Sequence, residues 1–192
     1  MLHNITKLTQ KIEHLAAEKS IIFHLASHYY KGVVRNEINL ASITSDDRIL
    51  CIGGGFCPFS AILLHQKTGA MVTVIDNDSD CIPKARKIID KLGLSGSIHL
   101  ECQEGCCSNL SVSKFTIVHF ALQVTPIERV FAEIEKKAAP GTKLLIRRPQ
   151  RHLGEMYCKL SQRVLKACCY ISHSKPCNIG STYLYVKERV AA

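Results

Sequence analysis

Three consecutive glycines separate an apolar run at residues 48–52 from a segment with the pattern of a helix. Glycine lets a backbone turn tightly and approach a ligand closely, because it has no Cβ atom. A strand, a glycine-rich turn and a helix in this order are typical of a nucleoside-binding site. The turn residues that we expect to contact such a ligand are Gly53, Gly54, Gly55, Phe56 and Pro58.

Pro58 and Asp76 narrow the choice of nucleoside. A dinucleotide-binding turn would place a third glycine at position 58, near the pyrophosphate. Pro58 instead removes an amide donor that a phosphate would use, and S-adenosylmethionine has no phosphate. Asp76 ends the next apolar run, where a carboxylate can accept hydrogen bonds from ribose hydroxyls. We therefore predict S-adenosylmethionine as the cofactor, with Asn77 beside Asp76 in its site.

Two later loops follow strand-like runs and complete the predicted cofactor site. The loop after the third run commonly faces an adenine ring in such folds, although a solvated Glu104 is the alternative there. The loop after the fourth run would meet the reacting end of the ligand. The residues of the two loops are Gln103, Glu104, Gly105, Ala121, Leu122 and Gln123.

Three side chains are candidates for catalysis, namely His119, Tyr157 and Arg147. His119 ends the fourth strand-like run and could act as an acid or base, and a hydrogen-bonded core histidine is the alternative. An arginine fork suits a carboxylate. We hypothesise that Arg147 or Arg148 recognises a carboxylate on a small-molecule acceptor, with plain surface charge as the alternative. The sequence predicts no metal site.

Composition limits the class of protein. The 192 residues fit one domain, and 46% apolar residues supply a core. No apolar run approaches the roughly 18 residues that cross a bilayer, so we expect a cytoplasmic protein without membrane contact. The net charge of +9 is spread along the chain, which favours a basic surface over nucleic-acid binding. The ten cysteines include no C-x-x-C pair and are expected to pack as inert thiols. A homodimer is a further hypothesis for the assembly of the chain.

The elements that position these residues follow from hydrophobic periodicity. Helical spacing covers residues 5–29, with a break near Ser20 and an end at Gly32. From residue 48, strands and helices alternate. Thr125, Pro126 and Glu128 predict a capping box at the start of one helix. Further helices are expected after Pro58, before Gly93 and at residues 153–166, and the last two strands are expected at residues 168–172 and 182–187.

Alternation of this kind indicates a parallel sheet that is covered by helices. We predict an α/β protein with a Rossmann-like fold, a mostly parallel seven-stranded sheet with helices on both faces, and a C-terminal β-hairpin. Residues 1–44 would form an N-terminal helical cap segment, and residues 45–192 would form the cofactor-binding part of a single domain.

Part of the sequence resembles a known family. Residues 49–104 look like class I S-adenosylmethionine-dependent methyltransferases. More narrowly, Gly53-x-Gly55-x-x-Pro58-x-Ser60 resembles the glycine-proline turn of nicotianamine synthases. Residues 118–124 and 139–147 resemble the segment after the fourth strand and the fifth strand of that family. The resemblance covers roughly residues 45–160.

The resemblance implies a Rossmann-like methyltransferase fold. It also implies a transferase that uses S-adenosylmethionine, most simply a methyltransferase acting on a small molecule. The alternative is a transfer of the 3-amino-3-carboxypropyl group, as in nicotianamine synthase-like enzymes, because the sulfonium activates all three attached carbons. A third hypothesis, from another class of function, is a sensor or partner subunit that binds S-adenosylmethionine without turnover.

Overall fold

The computed structural model describes residues 20–105, 110–150, 169–174 and 178–188. The helices are α1 (Ser20–Ala41), α2 (Phe59–Thr68), α3 (Cys81–Lys91) and α4 (Ile127–Lys137), with a short 3-10 helix at Val112–Lys114. The strands are β1 (Arg48–Ile52), β2 (Met71–Asp76), β3 (Ile98–Cys102), β4 (Ile117–Phe120), β5 (Lys143–Pro149), β6 (Cys169–Ser172) and β7 (Ile179–Val186). Tyr157 and the helix predicted at 153–166 lie outside the described residues.

The strands form one sheet in the order β3-β2-β1-β4-β5-β7-β6. The first five strands of this order are parallel, whereas β7 is antiparallel to both β5 and β6. Ile52 lies opposite both Ile75 and Phe120, so that β1, β2 and β4 end at the same edge. The chain changes direction across the sheet at β1, which is the usual place for a ligand. The predicted seven-stranded sheet and its C-terminal hairpin are confirmed.

Apolar layers cover both faces of the sheet. Successive residues of a strand point to opposite faces, so Ile49 and Cys51 pack with α1, α2 and α3, whereas Leu50 and Ile52 pack with α4. The prediction of helices on both faces is therefore confirmed. None of the described helices combines the length and apolar character that a membrane crossing requires.

Helix α1 does not end at Gly32, as the sequence had suggested, but continues to Ala41. An exposed glycine inside a helix costs only about 1 kcal/mol relative to alanine. The residues that follow it, Val33 and Val34, are fully buried and offset that cost by packing against the rest of the fold. The predicted end at Gly32 was wrong because tertiary burial outweighs local propensity.

The predicted capping box of α4 is also wrong. Pro126, in an extended conformation, takes the N-cap position, and no side chain caps this helix by a hydrogen bond. Glu128 then lies at the second helical position instead of the third, so that it does not match the box. The helix is held by the burial of Ile127, Val130 and the later residues of its apolar face.

Candidate ligand-binding site

A cavity of about 500 Å³ opens at the edge where β1, β2, β4 and β5 end. A volume of this size is usual for a small-molecule site. Helix α1 contributes Tyr30, and β5 contributes Arg147 and Arg148. Every residue of the predicted cofactor site lines this cavity: Gly53, Gly54, Gly55, Phe56, Pro58, Asp76, Asn77, Gln103, Glu104, Gly105, Ala121, Leu122 and Gln123. Their individual contacts with a ligand stay predictions.

The glycine turn needs all three of its glycines. Gly53 and Gly55 have φ angles of +85° and +60°, in the left-handed region that other residues rarely adopt. At Gly54, a Cβ atom would lie only 2.3 Å from Cγ1 of Val74 on β2. The turn therefore combines a left-handed backbone with a close approach to the neighbouring strand.

Asp76 ties the end of β2 to this turn. One carboxylate oxygen accepts the amide hydrogen of Gly55 at 2.8 Å, and the other accepts that of Asp78 at 3.0 Å. An ionised carboxylate has about four acceptor positions, so Asp76 keeps capacity for further donors. Its expected contact with ribose hydroxyls is compatible with these bonds.

Gln103 lines the cavity and has one side-chain acceptor without a partner among the described residues. Its side-chain nitrogen donates to Glu101 at 2.6 Å, and its backbone amide donates to the carbonyl of Asp76 at 2.9 Å. Its side-chain oxygen is buried and has no hydrogen-bond partner among the described residues. Glu104, in contrast, is exposed. A buried acceptor without a hydrogen-bond donor lowers the stability of the fold. A ligand N–H group that donates to this oxygen would remove that penalty.

Glu37 of α1, which we did not select from the sequence, holds a network of charged and polar groups. One carboxylate oxygen accepts from Nε of Arg147 at 2.7 Å and from the Thr182 hydroxyl at 2.8 Å. The other accepts from Nη2 of Arg147 at 2.8 Å and from Nε2 of His119 at 3.3 Å. The only signal in the sequence is the helical spacing of Glu37, which follows Val33 by four residues and Val34 by three and so shares a helix face with these apolar residues.

The charges of this network are fixed by its members. Burial alone would raise the pKa of Glu37, but Arg147 and His119 hold that pKa well below its usual value. Burial opposes the charge of Arg147, yet Glu37 raises the pKa of the guanidinium. Burial, together with Arg147, lowers the pKa of His119. The network therefore holds a buried ion pair beside a histidine whose protonation is disfavoured.

The network bears on two of the catalytic candidates. His119 is 1% exposed and directs Nε2 to Glu37, a geometry that agrees with the core-histidine alternative. The fork of Arg147, which we expected to meet a substrate carboxylate, is bound to Glu37 instead. Its remaining nitrogen, Nη1, donates to the Ser60 hydroxyl at 2.7 Å. Catalytic roles for His119, Arg147 and Tyr157 stay predictions.

Arg148 lies on β5 beside Arg147 but in different surroundings. It is half-buried, lines the cavity and has its guanidinium 5.8 Å from the ring centre of Tyr183. Within the described residues it forms no ion pair. Of the two arginines proposed for a carboxylate, Arg148 is thus the one whose fork is not already bound to a carboxylate.

No family model matches the chain. The curated L-histidine 2-aminobutanoyltransferase of Pseudomonas aeruginosa is 28% identical over 116 residues, which are 59% of this chain and 43% of that relative. The chain thus spans less than half the length of the curated relative that it matches.

Two solved structures have a similar architecture. A variant of the nicotianamine synthase MtNAS, in complex with S-adenosylmethionine, has a TM-score of 0.79 at 20% identity, covering 98% of this chain and 75% of that chain. An RNA methyltransferase from Salinibacter ruber, in complex with S-adenosyl-L-homocysteine, has a TM-score of 0.66 at 16% identity, covering 83% of this chain and 93% of that chain. At these identities the likeness establishes the fold: the chain has the Rossmann-like fold of the S-adenosylmethionine-binding methyltransferases.

Proposed function

We propose that the chain binds S-adenosylmethionine and transfers its 3-amino-3-carboxypropyl group to an amine of a small-molecule acceptor. The observation that carries the proposal is the cavity at the edge of β1, β2 and β4, in a chain whose sequence matches L-histidine 2-aminobutanoyltransferases over 116 residues. The expected methyl transfer is the second candidate, supported by the fold that the chain shares with an RNA methyltransferase.

The described residues fit the adenosine part of this cofactor. The free side-chain oxygen of Gln103 would accept a hydrogen bond from the adenine amino group. The Asp76 carboxylate, held in place by the amides of Gly55 and Asp78, would accept the ribose hydroxyls. The backbone at Gly53 and Gly54 packs directly against Ala121 and Val74, with no room for a Cβ atom, and this packing fixes the course of the turn. Gln103 and Asp76 thus provide acceptors for the donors that an adenosine carries, namely the adenine amino group and the ribose hydroxyls.

The protein's part in the reaction is mainly positioning. Bound S-adenosylmethionine supplies a sulfonium whose attached carbons are electrophilic. The chain must orient one of these carbons towards the amine, exclude water and accept or pass on the proton that the amine loses. Glu37 is not suited to take this proton, because its carboxylate already accepts four hydrogen bonds. The lowered pKa of buried His119 makes it a weaker base than an ordinary histidine.

Arg148 is the residue that we assign to the acceptor's carboxylate. It lines the same cavity, and its guanidinium is not bound to a carboxylate of the described chain. A bidentate contact would orient the acceptor as well as bind it. We expect Arg148→Met to raise the KM of a carboxylate-bearing amine by about tenfold, with a smaller change in kcat.

The products decide between the two candidate reactions. We would incubate the protein with S-adenosylmethionine and L-histidine, and separately with other amino acids, and analyse the products by mass spectrometry. Aminocarboxypropyl transfer leaves methylthioadenosine, whereas methyl transfer leaves S-adenosylhomocysteine. Methylthioadenosine together with an acceptor that has gained the aminocarboxypropyl group supports the proposal, and S-adenosylhomocysteine overturns it in favour of methyl transfer.

The Asp76→Asn variant tests whether the reaction takes place at this site. An asparagine can accept one of the two backbone hydrogen bonds but not both, so the turn loses one of its anchors. We expect the affinity for S-adenosylmethionine to fall by about tenfold or more. Product formation that is unaffected by this substitution would mean that the reaction takes place elsewhere.

A further inference from the structure

The Ser60 hydroxyl is a candidate hydrogen-bond donor to a ligand in the cavity. This residue is half-buried at the start of α2 and lines the cavity. Its oxygen accepts a hydrogen bond from Nη1 of Arg147 at 2.7 Å. Among the described residues its hydroxyl proton has no acceptor, because this bond from Arg147 is the one hydrogen bond that it makes with them. A hydroxyl whose oxygen is already an acceptor can serve a ligand best as a donor.

Arg147 cannot turn away from Ser60 without losing other contacts. Its Nε and Nη2 atoms are bound to Glu37 at 2.7 and 2.8 Å, and its guanidinium carbon lies 5.7 Å from the ring centre of Tyr30. The Tyr30 ring is itself stacked on Phe59, with ring centres 5.6 Å apart. The orientation of the Ser60 oxygen is thus imposed by a rigid, buried group.

The ion pair also sets the electrostatics of this corner of the cavity. The negative charge of Glu37 is 0% exposed and is paired with Arg147, so that the two formal charges compensate each other. A ligand carboxylate at this corner would therefore need a directed donor and could not depend on the charge of Arg147 alone. The Ser60 hydroxyl is such a donor.

The place of Ser60 in the fold fits one end of the proposed cofactor. The cavity runs along the sheet edge from Asp76 on β2, past the turn after β1, to β4 and β5. A ligand with its ribose at Asp76 would therefore direct its other end towards β4 and β5. Ser60 follows that turn, and Arg147 reaches it from β5. The amino-acid end of the ligand would therefore lie at the corner formed by Ser60, Arg147 and Tyr30.

We propose that the Ser60 hydroxyl binds the carboxylate of an α-amino acid group in the cavity, with Arg147 as the residue that positions it. The inference rests on the proposed function. The carboxylate has two possible sources, the amino-acid part of S-adenosylmethionine or an amino-acid acceptor. Both present the same group, and the binding experiment separates them.

Calorimetric titrations of the full chain test this role. The probes are S-adenosylmethionine, methylthioadenosine, which has the same nucleoside but no amino-acid group, and L-histidine in the presence of methylthioadenosine. We expect Ser60→Ala to weaken S-adenosylmethionine binding by about tenfold or more and to leave methylthioadenosine binding unchanged. Ser60→Thr keeps the hydroxyl and should restore the wild-type preference. Ser45→Ala, at an exposed residue that does not line the cavity, should change neither affinity.

The other outcomes have distinct meanings. If only the L-histidine affinity falls, the carboxylate belongs to the acceptor and the role of Ser60 stands. If both nucleosides lose affinity equally, or if no affinity changes, Ser60 has no role in carboxylate recognition and the inference is overturned while the proposed function remains. A wild-type chain that binds neither nucleoside overturns both.

Discussion

Two regions adjoin the cavity, a turn half and a charge half, and they are held together by different kinds of interaction. The turn half, residues 53–58 with Asp76, depends on backbone conformation, namely left-handed glycines and an amide-to-carboxylate bond at Gly55. The charge half consists of side chains that meet from α1, β4, β5 and β7, and its members are Glu37, His119, Arg147 and Thr182. A change in the turn half strains its neighbours, whereas a change in the charge half leaves a buried charge without its partner.

Removing the charge of Glu37 should have the largest effect on the charge half. Glu37→Gln leaves the guanidinium of Arg147 buried without a counter-ion, since both residues are almost inaccessible. Breaking a buried pair in this way costs about 3–5 kcal/mol. Urea denaturation followed by circular dichroism would measure the lower free energy of unfolding. Glu188→Gln, at an exposed residue, should change it by no more than about 0.5 kcal/mol.

The double substitution Glu37→Leu with Arg147→Met sharpens this prediction. Apolar residues of similar volume remove both charges together, and such replacements are often neutral or stabilising. We expect the double variant to be more stable than Glu37→Gln, although Thr182 and His119 lose their acceptor. A double variant that is less stable than Glu37→Gln would show that packing, and not the unpaired charge, dominates this region.

The contrast between the halves also explains what the sequence could predict. The turn half is local: the glycines, Pro58 and the strand ends are visible in short windows, and each predicted cofactor residue lines the cavity. The charge half is not local, since Glu37 lies 82, 110 and 145 residues from His119, Arg147 and Thr182. No periodicity relates such distant positions. Only the topology, which brings β4, β5 and β7 beside α1, pairs Arg147 with Glu37.

The same distinction applies to the fold. The mostly parallel seven-stranded sheet and the C-terminal hairpin follow from alternating apolar runs, which many residues support together. The helix end predicted at Gly32 depended on one residue, and the capping box predicted at Thr125 depended on three. In both places the helix boundary is decided by burial of neighbouring side chains, such as Val33 and Ile127. Signals that depend on one to three residues are therefore the ones that tertiary packing overrides in this chain.

Adding a methyl group at Gly54 should disturb the turn half. Its effect on the free energy of unfolding should be smaller than that of Glu37→Gln. The new Cβ atom would lie 2.3 Å from Cγ1 of Val74, a stiff side chain in the middle of β2. Overpacking of this kind costs about 1–3 kcal/mol, and we expect Gly54→Ala also to weaken nucleoside binding. Differential scanning fluorimetry and calorimetric titration with methylthioadenosine measure the two effects.

Two variants make this test specific. In Gly54→Ala with Val74→Ala the clash is removed, so that much of the nucleoside affinity should return. Gly96→Ala is the matched control, because a Cβ atom at Gly96 meets nothing within 4 Å. If Gly54→Ala behaves like Gly96→Ala, the close approach between the turn and β2 does not matter for binding.

The smallest predicted effect is a loss of stability in mild acid, which arises in the charge half. The pKa of buried His119 lies below its usual value of 6.5 in the folded state, and that of His173 is also lowered, mainly by burial. The unfolded chain therefore takes up protons below about pH 6.5 while the folded chain does not. Stability is lost as the pH falls, by up to about 1.4 kcal/mol per pH unit for His119.

Glu37 adds to this loss only at lower pH. Its pKa is depressed from 4.5, so the stability that it contributes is present above pH 4.5 and disappears below it. Urea denaturation at pH 7.5, 6.5 and 5.5 therefore isolates the histidines. We expect His119→Asn, which keeps an N–H donor for Glu37, to show a shallower dependence than the wild type, whereas His99→Asn at an exposed residue of β3 keeps the full slope. Equal slopes in all three proteins would mean that His119 takes up a proton in the folded chain over the same pH range as in the unfolded chain. The charge half would then hold two cations around one carboxylate in mild acid.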